Sequence, residues 1–186
     1  MTKAKLMHAA FHNFGKHGYN GGSLAQIADE IGIKKQSIYT YFKSKDDLYL
    51  AIFEEALQFE LAFMKSYMTN NVQQPIEQKL LPLLQQVELR MEQYVETKFF
   101  IRTLYLTPQH LEQTLNKQAY YYLDYLEQLF KDYFSTQHIK VSAQDAAISF
   151  LALLDSLYVE MLYGGNERFL KRLQASWKIF YKGITN

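Results

Sequence analysis

The sequence predicts an all-α protein, and three observations carry that prediction. Apolar residues recur at three- and four-residue spacing almost throughout the chain. No alternating apolar–polar stretch bounded by hairpin turns interrupts them. Only three prolines and eight glycines punctuate the 186 residues, so enforced breaks are few, and about nine helices are expected.

Taken in order, the first helix is expected from about Thr2 to His17, closed by Gly18. The second starts at Ser23, with a capping box that closes at Gln26, and stops at Gly32. The third is the stretch IKKQSIYTYF, Ile33 to Phe42. It opens on two lysines, although a helix N-terminus already carries about half a positive charge and each exposed cation there costs about 0.3–1 kcal/mol. The fourth begins at Ser44, with Asp47 three residues on, and runs to about Met68. TNNVQQ, residues 69–74, reads as a linker, and Pro75 opens the first turn of a fifth helix. Pro82, within LLPLL, removes an amide donor and clashes with the preceding turn, which predicts a kink or a break. Thr107-Pro108 begins a helix reaching about Phe134. Ser142 and Asp145 cap another from about Ala143 to Tyr163, ended by Gly164-Gly165. The last helix carries Phe169, Leu170, Leu173, Trp177, Phe180 and Ile184 as a seam.

Hydrophobic residues make up 48% of the chain, ample for a core without staples. There is no cysteine, which excludes disulfides and thiolate metal sites. No apolar leader follows the N-terminal lysines and nowhere do 18 apolar residues run together, so a soluble, cytoplasmic protein without a membrane partner is expected. The net charge of +1 is uneven: residues 1–50 hold seven lysines against four acids, net +3. A basic end on a mildly acidic body points to a polyanion bound at that end.

Residues 24–43 meet the demands of a helix-turn-helix. Ala28 lets two helices cross closely, Gly32 suits a left-handed turn, and Ile27, Ile31, Ile33 and Ile38 fill the small core between them. An ordinary helical hairpin would also favour the glycine, but not the alanine, the tight turn and the lysine-led second helix together. The stretch FHNFGKHGYNGGSLAQIADEIGIKKQSIYTYFKSKDDL resembles the N-terminal DNA-binding domain of the TetR family of transcriptional regulators. The likeness covers roughly residues 4–50: Phe14 to Gly18-Tyr19, Ser23, Ile27-Ala28, Gly32-Ile33, and Tyr39-x-Tyr41-Phe42-x-Ser44-Lys45.

That resemblance implies a helix-turn-helix domain over residues 1–47 and a helical effector-binding and dimerisation domain over 48–186. The whole would be a homodimeric, ligand-responsive repressor that sets its third helix into the major groove of a palindromic double-stranded operator. It makes Lys35, Gln36 and Tyr39 base-reading candidates and Ser23, Ser37, Thr40, Tyr41 and Lys45 phosphate contacts, with Lys34 also facing DNA. The anion then compensates the lysines at the helix start. Gln36 either reads adenine by a bidentate pair or fills space, and Tyr39 either reads a base or belongs to the core.

Beyond residue 50 the sequence is rich in aromatics. Tyr120-Tyr121-Tyr122 span most of a helical turn, so they cannot all point one way. Phe100, Tyr105, Tyr121, Tyr122, Tyr125 and Tyr158 are the candidate lining of a pocket for a small amphipathic or aromatic effector, set against plain core packing. The helix from Ala143 is apolar on more than one face. Phe150, Leu154, Leu157 and Met161, with Leu173, Trp177 and Phe180 of the last helix, are candidates for a two-fold four-helix seam, unless other helices of the same chain cover them.

His8 and His12 stand four residues apart, a spacing that can bind zinc, but a third ligand and the glutamate of HExxH are lacking. His110 and His138 are isolated. No phosphate loop, nucleophile elbow or paired-carboxylate pattern occurs, so no catalytic residue, cofactor or metal is expected.

Overall fold

The computed structural model describes residues 3–185, and all regular structure among them is helical. The elements are α1 (Lys3–Gly21), α2 (Leu24–Glu30), a 3₁₀ helix (Lys35–Thr40), α3 (Lys45–Thr69), α4 (Ile76–Gln93), α5 (Val95–Tyr105), a short 3₁₀ turn (Gln109–Leu111), α6 (Glu112–Ser135), α7 (Ala143–Tyr163) and α8 (Gly165–Thr185). Thr2, the expected start of the first helix, lies outside the described residues.

Contacts divide the chain into two compact units. The first comprises residues 1–60 and 92–119, the second 61–91 and 120–186. Residue 47, the expected domain boundary, lies within the continuous α3, and α5 packs against α1.

In the first unit, α1 buries Leu6, Ala9, Ala10, Phe11 and Phe14. It faces α5 through Phe11 on Phe99, 5.5 Å between ring centroids at 72°. Tyr49 of α3 meets the same Phe99 at 5.0 Å and 70°, and its hydroxyl shares a 2.8 Å hydrogen bond with Thr103. Edge-on contacts of this kind match the positive ring edge to the negative ring face. The break in α1 sits at Gly18, with φ 69°.

The second unit is built round Phe130, Phe134 and Phe150, which meet at 4.8–6.3 Å, and Phe169, Leu173 and Trp177 of α8 are buried as well. α7 is long and apolar enough to cross a membrane by composition alone, with half of its most apolar window buried inside the protein. Its Phe150, Leu153, Leu154 and Leu157 are core residues. Ser142 caps it by accepting from the Asp145 amide at 3.0 Å.

α4 runs through Pro82 without a break, so of the expected kink or break the break does not occur. The missing proline donor would have served the Gln78 carbonyl, and the side-chain amide of Gln74 serves it instead at 3.1 Å. Lys79 is 2% exposed. Its ammonium donates to the carbonyls of Tyr67, at 3.1 Å, and Asn70, closing the C-terminal end of α3 where the helix dipole favours a cation. Burial holds this amine below its ordinary pKa.

Candidate nucleic-acid interface

The turn between α2 and the 3₁₀ helix is fixed by backbone bonds. Ser23 accepts from the Gln26 amide at 3.2 Å, starting α2. The Gln26 side chain does not complete the expected box, because it accepts from Asn13 Nδ2 at 3.3 Å. At the other end Gly32 donates to Asp29 (3.1 Å) and Ile33 to Ala28 (2.9 Å), with Gly32 at φ 69°. That pair of bonds is the Schellman stop, which needs a left-handed residue. Ile27, Ala28 and Ile38 are at most 1% exposed and lock the two segments, while Ile31 and Ile33, expected in the same small core, are only half-buried.

The third helix is 3₁₀ over Lys35–Thr40, where an α-helix over Ile33–Phe42 was expected. Lys34 stands at its N-cap with no side-chain bond to the free amides. Lys34, Lys35, Gln36, Thr40 and Tyr41 are exposed and Ser37 and Ser23 half-buried. Tyr39, 49% exposed, is no core residue, and Gln36 is likewise too exposed to be a packing residue. In a 3₁₀ helix residues three apart eclipse, so Gln36 and Tyr39 share one outward face beside two uncapped lysines.

Lys45 begins α3 on an aromatic seat. Its ammonium lies 4.2 Å from the ring centre of Tyr19 and 5.7 Å from that of Phe14. Burial lowers its pKa, with the neighbouring Asp46 opposing. The Tyr19 hydroxyl donates to Asp46 Oδ1, and His110 Nε2 lies 3.2 Å from the same oxygen. The Tyr19 hydrogen bond holds the Asp46 carboxyl below the usual range, with smaller help from His110 and Lys45. Burial, then Asp46, pushes Tyr19 up to about 12. Ser44 accepts from the Asp47 amide at 3.0 Å, and Asp47 Oδ2 accepts from the Lys43 amide at 2.8 Å, a reciprocal cap at this helix start.

His110 is thus not isolated, as sequence reading had it. It lies 64 positions from Asp46, and no local pattern signals the pairing. His12, the second of the zinc-spaced pair, faces Glu30 at 3.3 Å. Among the described residues no group of three or more metal-ligating side chains forms.

The candidate effector residues divide between the units. Phe100, fully buried, stacks on Phe53 at 5.3 Å, and Tyr105 is half-buried, both in the first unit. In the second, Tyr122 and Tyr158 are buried, Tyr125 half-buried and Tyr121 57% exposed. The seam candidates also need correction. Phe150, Leu154, Leu157, Leu173 and Trp177 are at most 7% exposed within their own chain, and Met161 and Phe180 are half-buried. α8 covers α7 and buries the face assigned to a partner. What the pair leaves outside is a shallow concavity of about 700 Å³ lined by Ser149, Ala152, Ser156, Ala175, Ile179 and neighbours.

A helix-turn-helix with an outward row of basic and hydrogen-bonding side chains is an arrangement suited to the DNA major groove. The profile of bacterial regulatory proteins of the tetR family matches residues 6–52, the stretch that holds the helix-turn-helix. The HTH-type transcriptional regulator RutR of Escherichia coli strain K12 is 35% identical over 65 residues, 35% of this chain and 31% of that protein. The match therefore spans about a third of that relative's length. IcaR of Staphylococcus epidermidis, the negative transcriptional regulator of the biofilm operon icaADBC, is 23% identical over 84% of this chain and 82% of its own. The crystal structure of the regulator FadR from Bacillus subtilis in complex with stearoyl-CoA shares the fold, with a TM-score of 0.71 at 16% identity, covering 98% of this chain and 100% of that one.

Proposed function

We propose that this chain is a TetR-like transcriptional repressor that acts as a homodimer on a palindromic operator. The observation that carries the reading is the exposed row Lys34, Lys35, Gln36, Tyr39 and Thr40 on a helix held by a Schellman stop. The uncapped amides and paired lysines at the start of that helix favour an anion, and the eclipsed Gln36 and Tyr39 offer hydrogen bonds to base edges. Ser23, Ser37, Tyr41 and Lys45 serve as phosphate contacts. No chemical step is part of the reading, and its place is the cytoplasm.

The outer face of α7 and α8 supports the dimer. Small residues at Ser149, Ala152 and Ala175 permit close approach, and Ile179 is 72% exposed, an apolar side chain of the kind an interface buries. An amphipathic effector bound among Tyr121, Tyr122, Tyr125 and Tyr158 of the second unit would shift the population between DNA-binding and released states. The likeness to the stearoyl-CoA complex makes long-chain acyl-CoA thioesters the first compounds to assay.

A mobility-shift titration with DNA from upstream of the protein's own coding region tests the reading. Binding should weaken steeply with salt, and Gln36→Ala should cost about 1–3 kcal/mol at one base position per half-site. Binding indifferent to salt would refute it. Ile179→Glu should yield a folded monomer by light scattering; an unchanged dimer would remove this face from the interface.

A further inference from the structure

We propose that His110, on the segment following α5, is a positioning residue for a DNA contact made by Lys45, acting through Asp46 and Tyr19; this rests on the DNA-binding reading above. The groups come from three parts of the first unit: Tyr19 from beyond the Gly18 break, Lys45 and Asp46 from the first turn of α3, and His110 from the turn before α6. One oxygen of Asp46 takes both the Tyr19 hydroxyl and His110 Nε2, the latter at 3.2 Å. The imidazole also abuts Tyr19 at 4.8 Å and 60°, while Tyr49 meets that ring at 5.1 Å and 83°. Phe14 stacks on the same ring at 6.4 Å and 9°, so Tyr19 is held by its hydroxyl and by three neighbouring rings, and the Lys45 ammonium lies over it at 4.2 Å.

The arrangement decides what becomes of one positive charge. A cation over a ring face is fixed in place without being neutralised, and so remains available to a phosphate. Asp46 is the next residue in the chain and could neutralise it. Engaged with Tyr19 and His110, the carboxylate is drawn toward those partners. Withdrawal of His110 removes one of the two groups holding it and loosens the Tyr19 ring, so that Asp46 can turn to Lys45 and cancel a charge that DNA would use. Movement of the segment after α5 thereby reaches the DNA surface through four side chains.

Phosphate contacts are independent of sequence, so a mixed-sequence duplex of about three helical turns suffices as probe. Its dissociation constant is measured against salt for the wild type, Lys45→Ala, His110→Ala, the double variant, and His110→Ala combined with Asp46→Asn. Circular dichroism checks that each is folded. Lys45→Ala should lower the salt slope by about one. His110→Ala should lower it similarly and weaken binding about 3- to 10-fold, with no further loss when both changes are combined. Asp46→Asn, which still accepts from Tyr19 but carries no charge, should restore the slope in the His110→Ala background. A slope unmoved by His110→Ala, additive losses, or no restoration by Asp46→Asn would overturn the positioning role while leaving DNA binding intact. Wild-type protein that fails to bind the duplex would overturn the DNA-binding reading and the positioning role together.

Discussion

Phe99→Ala should cost more than any surface change in the head, and the structure gives the size. The ring is fully buried, with Phe11 at 5.5 Å and Tyr49 at 5.0 Å, both edge-on. Large-to-small changes of this type cost about 3–5 kcal/mol in lost transfer energy and residual cavity. Two aromatic pairs, each contributing about 0.5–1.5 kcal/mol, place the loss toward the upper end. Gly15 works in the same direction: a β-carbon there would lie 3.7 Å from the Phe99 backbone, so α1 already touches α5 and has no side chain at that point to fill a cavity. About 4–5 kcal/mol is a large share of the about 5–15 kcal/mol that stabilises a typical domain. Urea denaturation followed by circular dichroism measures the loss, and native-state hydrogen exchange locates it. Amides of α1 and α5 should lose protection before those of α7 and α8. A loss under about 2 kcal/mol, or one centred on α7 and α8, would refute the claim that Phe99 holds α1 to α5.

Gly164→Ala should destabilise the α7–α8 turn by about 1–3 kcal/mol. Its new methyl would sit 2.0 Å from Glu160 Oε2 and 2.9 Å from Arg168 Nε, forcing apart an ion pair held at 2.9 Å; an unchanged melting temperature would show that the turn relaxes freely. In an alkaline titration followed by near-ultraviolet absorbance, Tyr19 and Tyr49, each pushed up to about 12 chiefly by burial, should ionise after the exposed tyrosines. Because their folded pKa values lie above the unfolded one near 10, the stability they contribute is complete below about pH 10 and lost as pH rises toward 12. Tyr19 and Tyr49 titrating near 10 while circular dichroism shows the protein still folded would contradict the burial described.

The helix starts were legible because they depend on local chemistry. Ser23, Ser44 and Ser142 each accept an amide three residues on, as their spacing announces. Gly32 likewise takes the left-handed conformation that the turn demands. The break between α4 and α5 was not legible, since Tyr94 interrupts with an extended backbone, φ −113° and ψ 113°, and no glycine or proline marks it. Nor was the continuity of α4, because a side chain eight residues upstream of Pro82 repairs the missing bond. The outward row of the third helix could be listed from the sequence, but not its 3₁₀ winding, which places Gln36 over Tyr39. Leu154 and Trp177 were misassigned for a related reason. An apolar stripe states that a face is covered, and only packing says by which chain.

A two-segment head has a consequence for recombination between relatives. The family match ends at residue 52, yet Phe99, Thr103 and His110, which hold Phe11, Tyr49 and Asp46, lie in a second segment. A chimera that exchanged only the N-terminal residues would set a foreign α1 against an α5 shaped for this one. Its Phe11 and Tyr49 would meet mismatched partners, and misfolding could be mistaken for lost operator specificity. Transplanting residues 92–119 together with 1–60 moves the lock with its key, and only such a graft keeps the packing of Phe11, Tyr49 and Asp46 intact on another body.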